Sequence, residues 1–326
     1  MLTREILQSV REIQIRTGRQ AADVLAGRYV SVFKGQGVEF DEVRPYVPGD
    51  DPRRIDWNVT ARMGQPYVKR FIEERQLTIM LLTDISASQD FGSVRRSKRQ
   101  ATAELCALLA MSAINNDDKV GLALFHGQVE QYIPARKGQK HALRVIREVL
   151  AHTDSGSSAP PSGKRRGLLG ILGQLGRSFR RLPRTGRLST SIAGAMDFLM
   201  SVNRRRCVCF VISDFMDEGY DRAMRMANRR HDVVAVHIYD PHEQELPDVG
   251  MINLTDLETG RTRLADTASG ATRTAFAREN SQRMAELESR MRSNGIDLVS
   301  IDVSQSVVAP LVKFFRRRER RRRSGR

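Results

Sequence analysis

Five residues of this 326-residue chain are of types that could do chemistry together. Asp84, Ser86 and Ser88 follow an apolar run as Asp-x-Ser-x-Ser, Thr190 stands just before "SIAGAMDFL", and Asp214 ends the run "CVCFVIS". Two carboxylates and three hydroxyls, with no histidine or cysteine among them, are a hard oxygen set. Such a set suits Mg²⁺ or Mn²⁺ in octahedral geometry, with positions left to water or to a partner. Each element alone has an ordinary alternative, because Ser86, Ser88, Thr190 and Asp214 can each cap a following helix. The ordered combination is what favours a cation site.

The elements around these residues decide whether they can meet. "LTIMLLT", "RCVCFVISD", "DVVAVHIYD" and "IDLVSID" read as buried strands. They alternate with helical stretches such as "SKRQATAELCALLAMSAINN", "KHALRVIREVL", "DRAMRMANRR" and "FARENSQRMAELESRMRSNG". This pattern predicts an α/β fold, a doubly wound, mostly parallel sheet with helices on both faces. In open sheets of that kind ligands bind beyond the carboxyl ends of the strands, where all five residues are expected. "KVGLALF" and "VEQYIP" should pair across "HGQ", and "MINLTDLETGRTRLAD" reads as a surface hairpin.

Residues 1–26 carry apolar positions at helical spacing, and 29–74 form a loop-rich α+β segment dense in ionisable and aromatic side chains. The expected division is an N-terminal segment 1–76, an α/β domain 77–305, and a C-terminal helix with an arginine-rich tail, 306–326. Inside the domain, 155–187 is a low-complexity insert, either a loop or a short basic amphipathic helix. Cys207 and Cys209 alternate along a strand and are expected in the core, whereas His126, His141 and His231 read as surface positions. Three cysteines, no signal-like N-terminus and no transmembrane-length apolar stretch lead to the expectation of a cytoplasmic protein.

The net charge is +16. Its whole excess lies in two places, 155–187 and 313–326, each with an excess of eight positive charges. The body between is balanced. The basic segments invite a weak, non-specific anionic partner, nucleic acid or a membrane surface, through 155–187 and 316–326. A solvated tail with no dedicated partner is the plain alternative.

Asp84-Ile85-Ser86-Ala87-Ser88, Thr190 and Asp214 resemble the metal-ion-dependent adhesion site of von Willebrand factor A domains. The resemblance implies direct ligation by Ser86 and Ser88, charge balance and water orientation by Asp84 and Asp214, and a partner carboxylate completing the shell. Upstream, Gly37, Glu39, Phe40, Arg44, Tyr46, Pro48, Gly49, Asp50, Arg53, Ile55, Asp56 and Trp57 match a longer pattern. It is similar to that of the bacterial and archaeal family named domain of unknown function number fifty-eight. Members of that family resemble proteins encoded beside MoxR-type AAA+ ATPases, which implies an adaptor working with such an ATPase. The upstream residues themselves read either as a scaffold, with Trp57, Phe40 and Tyr46 packing and the charges holding the turn, or as a partner surface.

The expected activity is therefore binding and not catalysis. No Walker-type phosphate loop or Ser/His/Asp arrangement is present. A metal-dependent phosphate hydrolase with Asp84 as nucleophile is the alternative, but Ser86 occupies the place where its acid would stand.

Overall fold

The computed structural model describes residues 38–73, 76–94, 96–155, 190–255 and 261–324. The expected helix in 1–26, nearly all of the insert 155–187 and the turn of the 251–266 hairpin lie outside the described residues.

The centre is a 6-stranded sheet in the order β10-β7-β6-β3-β4-β5. Its strands are β3 (Thr78–Asp84), β4 (Lys119–His126), β5 (Gln128–Arg136), β6 (Val208–Ser213), β7 (Asp232–Tyr239) and β10 (Asp297–Asp302). Neighbours run parallel except β5, which turns back antiparallel on β4 across Gly127. The α/β architecture expected from the strand–helix alternation is present.

Alternation along β3 explains the two layers. Ile79 and Leu81 join a core with α2 (Lys98–Asn115), α3 (Gln139–Ser155) and α8 (Val308–Ser324). Met80 and Leu82 join the opposite core with α4 (Ile192–Val202), α5 (Asp221–Arg230) and α7 (Gly270–Ser293). Both faces of β3 and β6 are therefore covered, which is why their sequences are continuously apolar and not alternating. Each large side chain so buried contributes about 1.5–3 kcal/mol. Cys207 and Cys209 both pack in the second core, as their spacing predicts. At the β4–β5 bulge, a Cβ on Gly121 would lie 2.7 Å from Met80 Sδ and 2.8 Å from the Ala135 nitrogen. Only glycine lets the strands approach there.

A second, 2-stranded sheet pairs β1 (Val38–Pro45) with β2 (Tyr67–Glu73), antiparallel. Between them lie a 3-10 turn, Pro52–Arg54, and α1 (Trp57–Met63). The charges here hold backbone. Asp50 pairs with Arg44 at 2.7 Å and accepts from the Val47 N–H at 3.0 Å. Asp51 caps the turn and Asp56 caps α1. The packing expected of Trp57 is not found: the ring is 69% exposed, because it opens a seven-residue helix with no buried residue. A third small sheet is the predicted hairpin of β8 (Met251–Thr255) and β9 (Thr262–Asp266), while α6 (Pro241–Gln244) follows β7.

Two further expectations change. His231 is 1% exposed, its Nδ1 facing the Cys207 nitrogen and sulfur at 3.3 Å each. The arginine stretch is no free tail as far as Ser324, because it continues α8. Arginine is a good helix former. Arg318 reaches Asp232 and Asp297, and Arg317 and Arg321 also pair with Asp297. Among the described residues no helix is long and apolar enough to cross a membrane.

Candidate functional site

Strand order reverses at the β3–β6 boundary: from β3 the chain moves outward to β4, and from β6 outward to β7. Such a boundary opens a crevice at the carboxyl ends. Asp84 ends β3 and Asp214 follows β6 directly, so both carboxylates arrive at that crevice. They are 2% and 7% exposed.

The Asp84 carboxylate is held on both oxygens. Oδ1 accepts from the Ser86 N–H at 2.8 Å, and Oδ2 accepts from the Ser213 hydroxyl at 2.7 Å. Ser213 in turn accepts from the Phe215 N–H at 3.1 Å. Phe215 has φ 54°, left-handed backbone that a bulky residue rarely adopts. The chain thus leaves β6 through a strained step beside Asp214.

Ser88 lies on a tight 3-10 turn, Ala87–Asp90, that Ser86 precedes, and their hydroxyls share a hydrogen bond of 2.9 Å. The Ser88 hydroxyl also helps to stabilise the Asp214 charge. Arg99 donates to the Ser86 carbonyl at 3.3 Å and pairs with Asp90, clamping the turn onto α2. Thr190 is buried one residue before the N-cap of α4. The Ile192 N–H donates to Asp217 at 2.8 Å, which ties the entry of α4 to the loop that carries Asp214.

Helix capping does not account for these residues. Ser86 makes no side-chain cap bond, and α2 is capped by Ser97 in a capping box with Gln100. The cap of α4 is Ser191, accepting from the Gly194 N–H at 3.1 Å. Asp214 lies well before α5, which starts at Asp221.

One neighbour was not anticipated from the sequence. Lys98, the first residue of α2, is 1% exposed, with Nζ 3.1 Å from Asp214 Oδ2 and 2.6 Å from Glu243 Oε1. A signal for it does exist in the sequence: a cation in a helix's first turn opposes the dipole and needs an anion nearby. Ser213, Ser93 and Asp240 were also missed. Asp240 accepts from the Ser93 N–H at 2.7 Å and from the Ser93 hydroxyl.

The electrostatics divide the two acids. Burial and the charge of Asp214 push the Asp84 carboxyl up to about 7, against the pull of its hydrogen bonds. Burial acts on Asp214 in the same sense, but the Lys98 charge and the Ser88 hydrogen bond outweigh it and hold Asp214 below the ordinary range. His237 nearby is lowered to about 4 by burial and by the Lys98 charge, despite Asp214.

Chemically, the crevice offers carboxylate and hydroxyl oxygens, one ammonium and a neutral imidazole. Among the described residues no group of three or more His, Cys, Asp or Glu is placed to hold a metal ion. A cation held here would therefore need the serine hydroxyls as well as Asp84 and Asp214.

Comparison with known proteins places the chain in a family. It is 30% identical over 317 residues to the uncharacterised protein Rv1480 of Mycobacterium tuberculosis, covering 97% of this chain and 90% of that one. The same figures hold for an uncharacterised protein of Mycobacterium bovis. A crystal structure of the conserved hypothetical protein BatB from Bacteroides thetaiotaomicron is similar over 75% of this chain and 99% of that one, at 14% identity and TM-score 0.39. Residues 42–286 match the family described as protein of unknown function DUF58, and the chain belongs to that family.

Proposed function

We propose that this protein is a non-enzymatic binding module with a von Willebrand factor A-like domain. Asp84, Ser86, Ser88, Thr190 and Asp214 would hold Mg²⁺ or Mn²⁺ for capture of a partner's carboxylate. The observation that carries the reading is the release of these residues from capping. The places they could have filled as caps belong to Ser97 and Ser191, and four of them converge on one buried crevice.

The donor set fits such a cation. Asp84 and Asp214 are buried side by side, so each raises the cost of the other's charge, and an added cation relieves that cost. Every candidate ligand atom is an oxygen, the preference of hard dications. When bound, the dication supplies an open coordination position for an anionic oxygen. The chain's own contribution is positioning. Ser213 and the Ser86 N–H fix the Asp84 carboxylate, Arg99 fixes the turn, and Lys98 fixes Asp214.

The partner class we infer is a MoxR-type AAA+ ATPase or its client, on the strength of the resemblance across 37–57. The exposed Trp57, last residue of that pattern, suits a contact surface. Thermal melting tests the site: millimolar Mg²⁺ or Mn²⁺ should raise the melting temperature of the wild type and leave Asp84→Ala unmoved. Equal curves with and without metal for the wild type would sink the reading. Retention of a co-encoded ATPase should be lost with chelator or with Ser86→Ala plus Ser88→Ala, and equal recovery would remove the metal-bridged docking.

A further inference from the structure

Lys98 stands where a cation is least welcome. It is nearly fully buried, at the positive end of α2's dipole. A buried ammonium persists there only when adjacent anions outweigh both costs. Asp214 and Glu243 do this together, one on the loop after β6 and the other on α6 after β7. Glu243 is itself held, since its other oxygen accepts from the Asp240 N–H at 3.0 Å within a capping box. Asp240 is bonded to Ser93, on the segment between the serine motif and α2. The ammonium is thus shared between an acid of the candidate site and an acid fixed outside it.

A dication bound to Asp214 would sit only a few ångströms from Lys98 Nζ. The two positive charges then repel, and both draw on one carboxylate. Resting on the cation-site reading above, we propose that Lys98 is a built-in counter-ion that competes with the dication for Asp214. Glu243 sets the strength of that competition by drawing the ammonium away. With no metal, Lys98 keeps Asp214 compensated and the edge folded. With metal, the ammonium leans on Glu243, which couples occupancy to the loop of α6 and Ser93. The site is in this way built to hold its dication loosely, and an anionic partner oxygen becomes part of what retains it.

The roles of Lys98 and Glu243 predict affinity changes of opposite sign. Titration of the full chain with Mn²⁺, read by loss of the free-ion paramagnetic signal, measures the dissociation constant directly. Lys98→Met keeps the aliphatic stem and removes the charge, so Mn²⁺ should bind at least about tenfold more tightly, given the size of charge–charge terms at such distances. Glu243→Gln keeps the acceptor for the Asp240 N–H and leaves Lys98 wholly to Asp214, so binding should weaken about threefold or more. General damage to the fold would weaken both variants alike. Constants that stay equal or move in the same direction overturn the role of Lys98 and leave the site reading standing. Absence of Mn²⁺ binding in both wild type and Lys98→Met overturns both. If Lys98→Met does not fold, Glu243→Gln decides, provided its melting temperature matches the wild type: weaker binding then supports the competition, and unchanged or tighter binding removes it.

Discussion

The Ser213 hydroxyl donates to Asp84 Oδ2 at 2.7 Å and joins the carboxyl ends of β6 and β3 at the point where strand order reverses. Because Ser213 also accepts from the Phe215 N–H, one hydroxyl fixes the carboxylate and the exit path of the neighbouring strand. Ser213→Ala should destabilise the protein by about 1–3 kcal/mol, the cost of stranding a buried partner. Urea unfolding would measure it, and a midpoint equal to wild type would show that the bond is replaced by another.

Asp84→Asn removes a buried charge that the fold carries at a cost. Its folded pKa of about 7 lies above the ordinary carboxyl value, so stability is greatest below the ordinary value and falls as pH rises toward 7. At pH 8 without metal the variant should be more stable by on the order of 1–3 kcal/mol. Ser213 can turn to accept from the new amide. A loss of stability at pH 8 would mean that Asp84 is compensated in a way its neighbours do not reveal.

His237 imposes the opposite slope. Its pKa, lowered to about 4, means that the unfolded chain takes up a proton between about 6.5 and 4 that the fold refuses. Stability is fully present above 6.5 and is lost as pH falls through 4, by about 2–3 kcal/mol. His237→Phe should flatten that part of the wild-type profile. Parallel profiles over pH 4–6.5 would place the acid sensitivity elsewhere.

Arg318 bridges Asp232 and Asp297 with its side chain 19% exposed, whereas Arg317 and Arg321 are more than half exposed. Arg318→Ala should cost about 2–3 kcal/mol by leaving two acids without their shared cation. Arg317→Ala should cost under about 0.5 kcal/mol. Similar melting temperatures for the two variants would dispose of the anchoring role.

Trp57→Ala should change stability by less than about 0.5 kcal/mol, since the ring is exposed. If it does so while reducing partner retention, the aromatic serves contact. A large loss of stability would return Trp57 to the packing role its sequence suggests.

Legibility followed the range of the forces. Strands β3, β6 and β7 were readable because burial on both faces leaves a local, continuous apolar signature, and β10, at the sheet edge, was readable from its apolar Leu298, Val299 and Ile301. The serine motif was readable because its residues are adjacent in the chain. The partnership of Lys98 with Glu243 was not, because the acid is 145 residues away in sequence and its selection is purely spatial. The same holds for α8, whose arginines look like a solvated tail until Asp232 and Asp297 are seen at the starts of two strands. Trp57 misled for a different reason. Aromatic residues usually pack, and nothing within a short polar helix reveals which way its face is turned.

The pins of α8 sit at the starts of β7 and β10, while Asp84 and Asp214 sit at the finishing end of the sheet. Strands of this length span about 20–25 Å at roughly 3.3 Å per residue. That exceeds two screening lengths of about 8 Å each at physiological ionic strength. The exposed arginines at that end and the acidic crevice therefore act on one another only weakly. Adding or removing charge at the exposed end of α8 should change the crevice's affinity for a cation little, which leaves each end of the molecule room for its own contacts.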